Sequence, residues 1–132
     1  MDKEYEYQIV KTFFNKMYHE RILFELASKK KRKDAIGRLS HHYENVLENQ
    51  LMHKIISSDY EEIYQLLNHQ ELKTCYIISF NEEVDGKYLP LDLGLKSIFQ
   101  YGMPSLLVGN LSIAYFEGEQ YIGPPPRFLL KK

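Results

Sequence analysis

The chain has one cysteine, Cys75, and no tryptophan among its 132 residues. A single thiol excludes an intrachain disulfide, so a packed core has to hold the fold. Cys75 lies in the short apolar run Thr74-Cys-Tyr-Ile-Ile-Ser-Phe80 and reads as a small buried hydrophobe. No stretch approaches the roughly 18 uninterrupted apolar residues of a membrane span, and Met-Asp-Lys-Glu-Tyr-Glu-Tyr at the N-terminus is not a signal-peptide segment. A soluble, cytoplasmic protein without a membrane partner is expected. An overall excess of positive charge is also missing: 17 Lys and Arg face 18 Asp and Glu, for a net charge of -1. That balance argues against a dedicated nucleic-acid coat or a polybasic membrane binder, so any anion binding must be local.

Internal repeats and low-complexity linkers are absent, as are CxxC, HExxH, GxSxG, Walker-type and GxGxxG patterns. No catalytic residue, metal site or cofactor is therefore assigned. What remains is ordinary for a globular protein, with 44% hydrophobic and 27% charged residues, and the length suits one domain over residues 1–132. Tyrosine is plentiful, 11 against 7 phenylalanines, and its ring with a polar tip suits contact surfaces as well as core edges.

Tyr5, Ile9, Phe13 and Met17 recur every four residues and predict a helix of about four turns. The run from Arg21 to Ala27 fits either a buried strand or an extension of that helix. Ala35, Ile36, Leu39, Tyr43, Val46, Leu47 and Leu51 keep helical spacing, with Asp34 near the start and a possible break at Gly37. Asp59 and Glu62 form a capping-box pattern ahead of a third helix with Tyr60, Ile63, Tyr64 and Leu67 inward.

From residue 74 the pattern changes to strands and turns. Thr74 to Phe80 reads as a strand, 81–86 as a polar connection with Asp-Gly turn chemistry, and Leu91 to Phe99 as a short helix. Residues 105–108, 111–116 and 120–122 then read as an antiparallel meander, closed off by Pro124, Pro125 and Pro126. The expectation is an α+β fold: N-terminal helices packed on a small, mainly antiparallel sheet of three or four strands.

Charge is unevenly placed. Residues 29–38 hold six of the 17 Lys and Arg and one of the 18 acids. Lys29, Lys30, Lys31, Arg32, Lys33, Arg38, His41 and His42 are thus the candidate residues for binding an anion or a partner, at a turn entering a helix. The same run also reads as solvated, or neutralised by the 12 acids that residues 39–132 set against seven Lys and Arg. His41 and His42 with Glu44 or Glu48 do not make a convincing metal set, because adjacent helical positions point about 100° apart. Glu82, Glu83 and Asp85 with Lys87 resemble a fragment of a metal-dependent hydrolase site, but the turn reading explains them better. Tyr115, Phe116 and Tyr121 beside the prolines suggest a sheet edge that receives a peptide, against the commoner use of proline to protect an edge.

The leading functional expectation is a non-enzymatic binding or regulatory module acting on another protein. The alternative is nucleic-acid association through residues 29–38, and a lesser one is a metal-dependent hydrolase.

Overall fold

Asp2 opens the first helix by accepting the Tyr5 N–H on Oδ1 at 2.9 Å, while Glu4 and Glu6 in the first turn suit the positive end of the helix dipole. In the computed structural model, which describes residues 1–132, this helix, α1, spans Lys3–Phe13. Tyr5, Ile9 and Phe13 turn inward as their spacing predicts. Met17 does not: it stands in a 3₁₀ turn at Lys16–Tyr18 and is 88% exposed.

Residues 21–27 are helical. They belong to α2, His19–Ala27, which buries Ile22, Glu25 and Leu26 at helical spacing. Ser28 then ends α2, and its carbonyl accepts the N–H groups of Lys31 and Arg32 to start α3, Arg32–His41. The long stripe expected through Leu51 is interrupted at His42 and not at Gly37, leaving α4 at Tyr43–Val46 and a 3₁₀ turn at Asn49–Leu51. The cause is tertiary. Tyr43 packs on the rings of Phe116 and Phe128 at 5.4 and 5.5 Å, and Leu47 forms an isolated bridge with Phe14. Helix α5, Tyr60–Asn68, begins where the capping pattern places it, although the Asp59 side chain makes no capping bond.

The strands are β1, Met52–Lys54; β2, Thr74–Ser79; β3, Tyr88–Pro90; β4, Ser105–Asn110; β5, Ile113–Glu117; and β6, Arg127–Lys131, with α6, Leu91–Ile98, between β3 and β4. They form one antiparallel sheet of six strands, not three or four, in the order β1-β6-β5-β4-β2-β3. Two of the added strands have three residues each, too few for an alternating pattern to register. The third member of the meander is β6 and not residues 120–122. The three prolines therefore lie in the connection before a paired strand, where their missing N–H groups cost the ladder nothing.

Alternation along these strands feeds two cores. Tyr76, Ile78, Leu106, Val108, Ala114, Phe116 and Leu130 face α1 to α4, while Cys75, Ile77, Leu107, Ile113, Tyr115 and Leu129 face α5 and α6. The sheet is buried on both sides, which is why β2 reads as an unbroken apolar run. No helix is long and apolar enough to cross a membrane.

Helix α6 lies so close to β2 that a Cβ on Gly94 would stand 2.3 Å from Cys75 Sγ, and burial pushes the Cys75 thiol up to about 12. Gly94→Ala is expected to cost about 1–3 kcal/mol in urea denaturation through overpacking. Adding Cys75→Ala should recover part of that loss. Strictly additive losses in the double variant would contradict the close approach.

Candidate functional site

Lys29, Arg32 and Lys33 meet at one cavity of ≈ 590 Å³, whose wall also holds Lys3, Glu6, Leu26, Ser79, Glu82 and Asp85. Four elements build it. Helix α1 contributes Glu6, the α2–α3 turn Lys29, the start of α3 Arg32 and Lys33, and the loop after β2 Glu82 and Asp85.

Arg32 forms its floor and is 5% exposed. Nε donates to Asp85 Oδ2 at 2.6 Å, Nη1 to Glu6 Oε1 at 2.7 Å and to the Leu26 carbonyl at 3.2 Å. Nη2 donates to Glu6 Oε2 at 2.6 Å and Asp85 Oδ1 at 3.1 Å. All five guanidinium N–H groups are thereby engaged within the protein. Burial alone would lower the Arg32 pKa, but the bonds to Glu6 and Asp85 outweigh it and hold the group firmly charged.

Two carboxylates around one guanidinium leave a surplus negative charge. The Tyr76 hydroxyl, donating to Glu6 Oε2 at 2.7 Å, and the Ser79 N–H, donating to Asp85 Oδ1 at 3.0 Å, spread part of it. Burial, followed by this bond to Glu6, raises the Tyr76 pKa. Asp2 extends the network, since its N–H donates to Tyr76 Oη and its Oδ2 accepts from Tyr88. At the rim stand Lys3, Lys29 and Lys33, the last paired with Glu82.

The other candidate residues do not converge on this cavity. Lys30 is exposed, and Lys31 is exposed with Nζ 4.9 Å from the centre of the Phe24 ring. Arg38 makes a two-pronged pair with Glu25, Nε to Oε1 at 2.9 Å and Nη2 to Oε2 at 2.8 Å, and this bond holds the Glu25 carboxyl below its ordinary range. His41, about 14 Å along α3 from Arg32 at 1.5 Å per residue, has Nδ1 2.6 Å from Tyr121 Oη. His42 is exposed, with its ring centre 6.4 Å from that of His41. The acids of the β2–β3 loop are drawn apart as well: Asp85 to Arg32, Glu82 to Lys33, while Glu83 is exposed.

Glu6 and Asp85 are the residues that sequence reading missed as partners of the basic run. Glu6 had left a signal, because it precedes Val10 by four residues and shares its buried face. An acid on an apolar stripe implies a buried cation opposite it. Nothing comparable marked Asp85, whose Asp-Gly turn is real: Gly86 has φ +74°.

A second buried polar cluster lies under the other face of the sheet. Arg127 Nε donates to Glu117 Oε1 at 3.0 Å and Tyr115 Oη at 3.1 Å, and the Gln100 N–H donates to Glu117 Oε2 at 2.6 Å. Arg127 Cζ is 4.7 Å from the centre of the Phe99 ring, and Nη2 is buried without an acceptor.

Removing the Arg32 guanidinium strands Glu6 and Asp85, so Arg32→Ala should lose about 3–5 kcal/mol in urea denaturation. Lys29→Ala and Lys30→Ala should each change stability by less than about 0.5 kcal/mol. Comparable losses at all three positions would show that Arg32 is not the anchor.

The Glu25–Arg38 pair gives a pH dependence with a defined sign. The folded pKa of Glu25 lies below its ordinary 4.5, so the stabilisation is present above that value and fades as pH falls through the lower one. The melting-temperature deficit of Arg38→Gln should be full at about pH 7 and shrink progressively as pH falls below 4.5. A constant deficit would rule out this coupling. Comparison with protein-family models, curated proteins and solved structures finds no match to the chain.

Proposed function

We propose that the protein is a non-enzymatic binding module that holds an acidic segment of another protein at the α2–α3 turn. The division of the basic run supports this reading. Arg32, Lys33 and Arg38 each have a carboxylate partner, whereas Lys29, Lys30 and Lys31 have none. Three consecutive cations therefore face outward from a turn anchored by a buried guanidinium.

Such an anchor fixes the turn before a partner arrives and lowers the ordering cost of binding. Phe24, 61% exposed beside Lys31, adds an apolar contact that suits a protein better than a phosphate backbone.

A titration with a fluorescent Asp/Glu-rich peptide and with mixed-sequence DNA and RNA, at about 50 and 500 mM salt, separates the two chemistries. The acidic peptide should bind at low salt, weaken at high salt, and lose at least about tenfold in affinity in the Lys29→Ala/Lys30→Ala/Lys31→Ala variant. Arg32 is left intact because its loss would perturb the fold. Tighter binding of the oligonucleotides would transfer the turn to nucleic-acid recognition. No binding of either probe at low salt would sink the proposal.

A further inference from the structure

We infer that the cavity above Arg32 takes an aromatic side chain of the partner's acidic segment, stacked flat on the guanidinium, while the acids beside that ring meet Lys3 and Lys29. The inference rests on the capture of an acidic segment at the α2–α3 turn and adds a recognition element to it: an aromatic residue between acids.

Arg32 commits all five N–H groups, which lie in the plane of its guanidinium, to Glu6, Asp85 and the Leu26 carbonyl. What the group still presents to the cavity is its flat face, positively charged and without a free donor. An aromatic ring suits such a face, because it stacks on the cation and needs no hydrogen bond. A carboxylate does not suit it, since it would be the third around one guanidinium.

The other side of the sheet carries the completed arrangement. There the Tyr115 hydroxyl donates to Glu117, as Tyr76 donates to Glu6, and Glu117 holds the buried Arg127. The ring of Phe99 covers that guanidinium, its centre 4.7 Å from Cζ. No ring of the chain covers Arg32, and the cavity of ≈ 590 Å³ lies against it instead. This volume falls among those of ligand pockets, about 300–1,000 Å³. Leu26, Ala27 and Ile36 give the cavity an apolar wall, and a rigid aromatic side chain fills such a space at low ordering cost.

The charges around the cavity place the acids. Lys3, in the first turn of α1, and Lys29, in the turn after α2, both stand on its wall, and neither has a carboxylate partner. Lys33 is taken by Glu82. Acids flanking the ring therefore meet Lys3 and Lys29, and those farther along the segment meet Lys30 and Lys31. Because Arg32 is locked before the partner arrives, the ring finds a surface already in place.

The chain has no tryptophan, so the indole emission of a bound peptide is read without background. An Asp/Glu-rich peptide with a central Trp is compared with the same peptide carrying Ala instead, both end-labelled with fluorescein for anisotropy, at about 50 mM salt. The Trp peptide should bind at least about tenfold more tightly, with its indole emission shifted to the blue. Ala27→Phe, at an exposed position of the cavity wall, fills the space with a ring of the protein's own. It should reduce the Trp peptide to the affinity of the Ala peptide, and leave the Ala peptide and the melting temperature unchanged. Lys3→Ala should weaken the Trp peptide about threefold. Equal affinity of the two peptides for the unaltered chain would overturn the aromatic seat. The lysine turn would then still stand if Lys29→Ala/Lys30→Ala/Lys31→Ala weakens both. A Trp advantage that survives Ala27→Phe would also overturn the inference, by placing the ring outside the cavity. Failure of both peptides to bind would sink the lysine-turn reading and the aromatic seat together.

Discussion

The buried contact of Arg32 with Glu6 and Asp85 fastens the helical layer to the sheet. Each partner belongs to a different part of the chain: Glu6 to α1, Arg32 to α3, Asp85 to the turn after β2. Apolar packing brings these elements together without specifying how far each slides. Five directional bonds to one planar group do specify it, because a small displacement would leave a buried charge without its partner. The start of α3, and with it the turn that carries the lysines, inherits its position from this contact.

The basic run consequently divides into two kinds of cation. Helical position decides which is which. Arg32 points inward with Ala35, Ile36 and Leu39, whereas Lys29 to Lys31 lie in the turn before the helix. Arginine suits the inward position, since its flat fork meets two carboxylates at once and keeps its charge when desolvated. Lysine suits the outward one, because its ammonium stays hydrated at the end of a flexible stem. Most of the counterweight to the local charge is thus internal, and what is left over is confined to one turn.

Helices with a clear apolar stripe and a starting signal, such as α1 and α5, were legible in the sequence, as were β2, α6 and the β4–β5 hairpin. Their information is local. The break at His42 was not legible, because it depends on Tyr43 finding Phe116 and Phe128 far along the chain. The short strands β1 and β3 carry too few residues to declare themselves, and β6 was hidden behind prolines that resembled a terminus for the sheet. Lys29 to Lys33 could be found as a cluster, yet only the fold separates Arg32 from its neighbours.

The placement of β6 between β1 and β5 has a consequence for how the chain folds. Strand β2 can pair with β3, and β4 with β5, as soon as each is made, but β1 has no partner until residues 127–131 exist. Closing that end of the sheet joins distant parts of the chain and contributes the slow, long-range step of the topology. During synthesis the helical N-terminal half must therefore wait beside an unfinished sheet. Met52, Leu51 and Tyr43, which pack against the core that β6 helps complete, stay uncovered the longest.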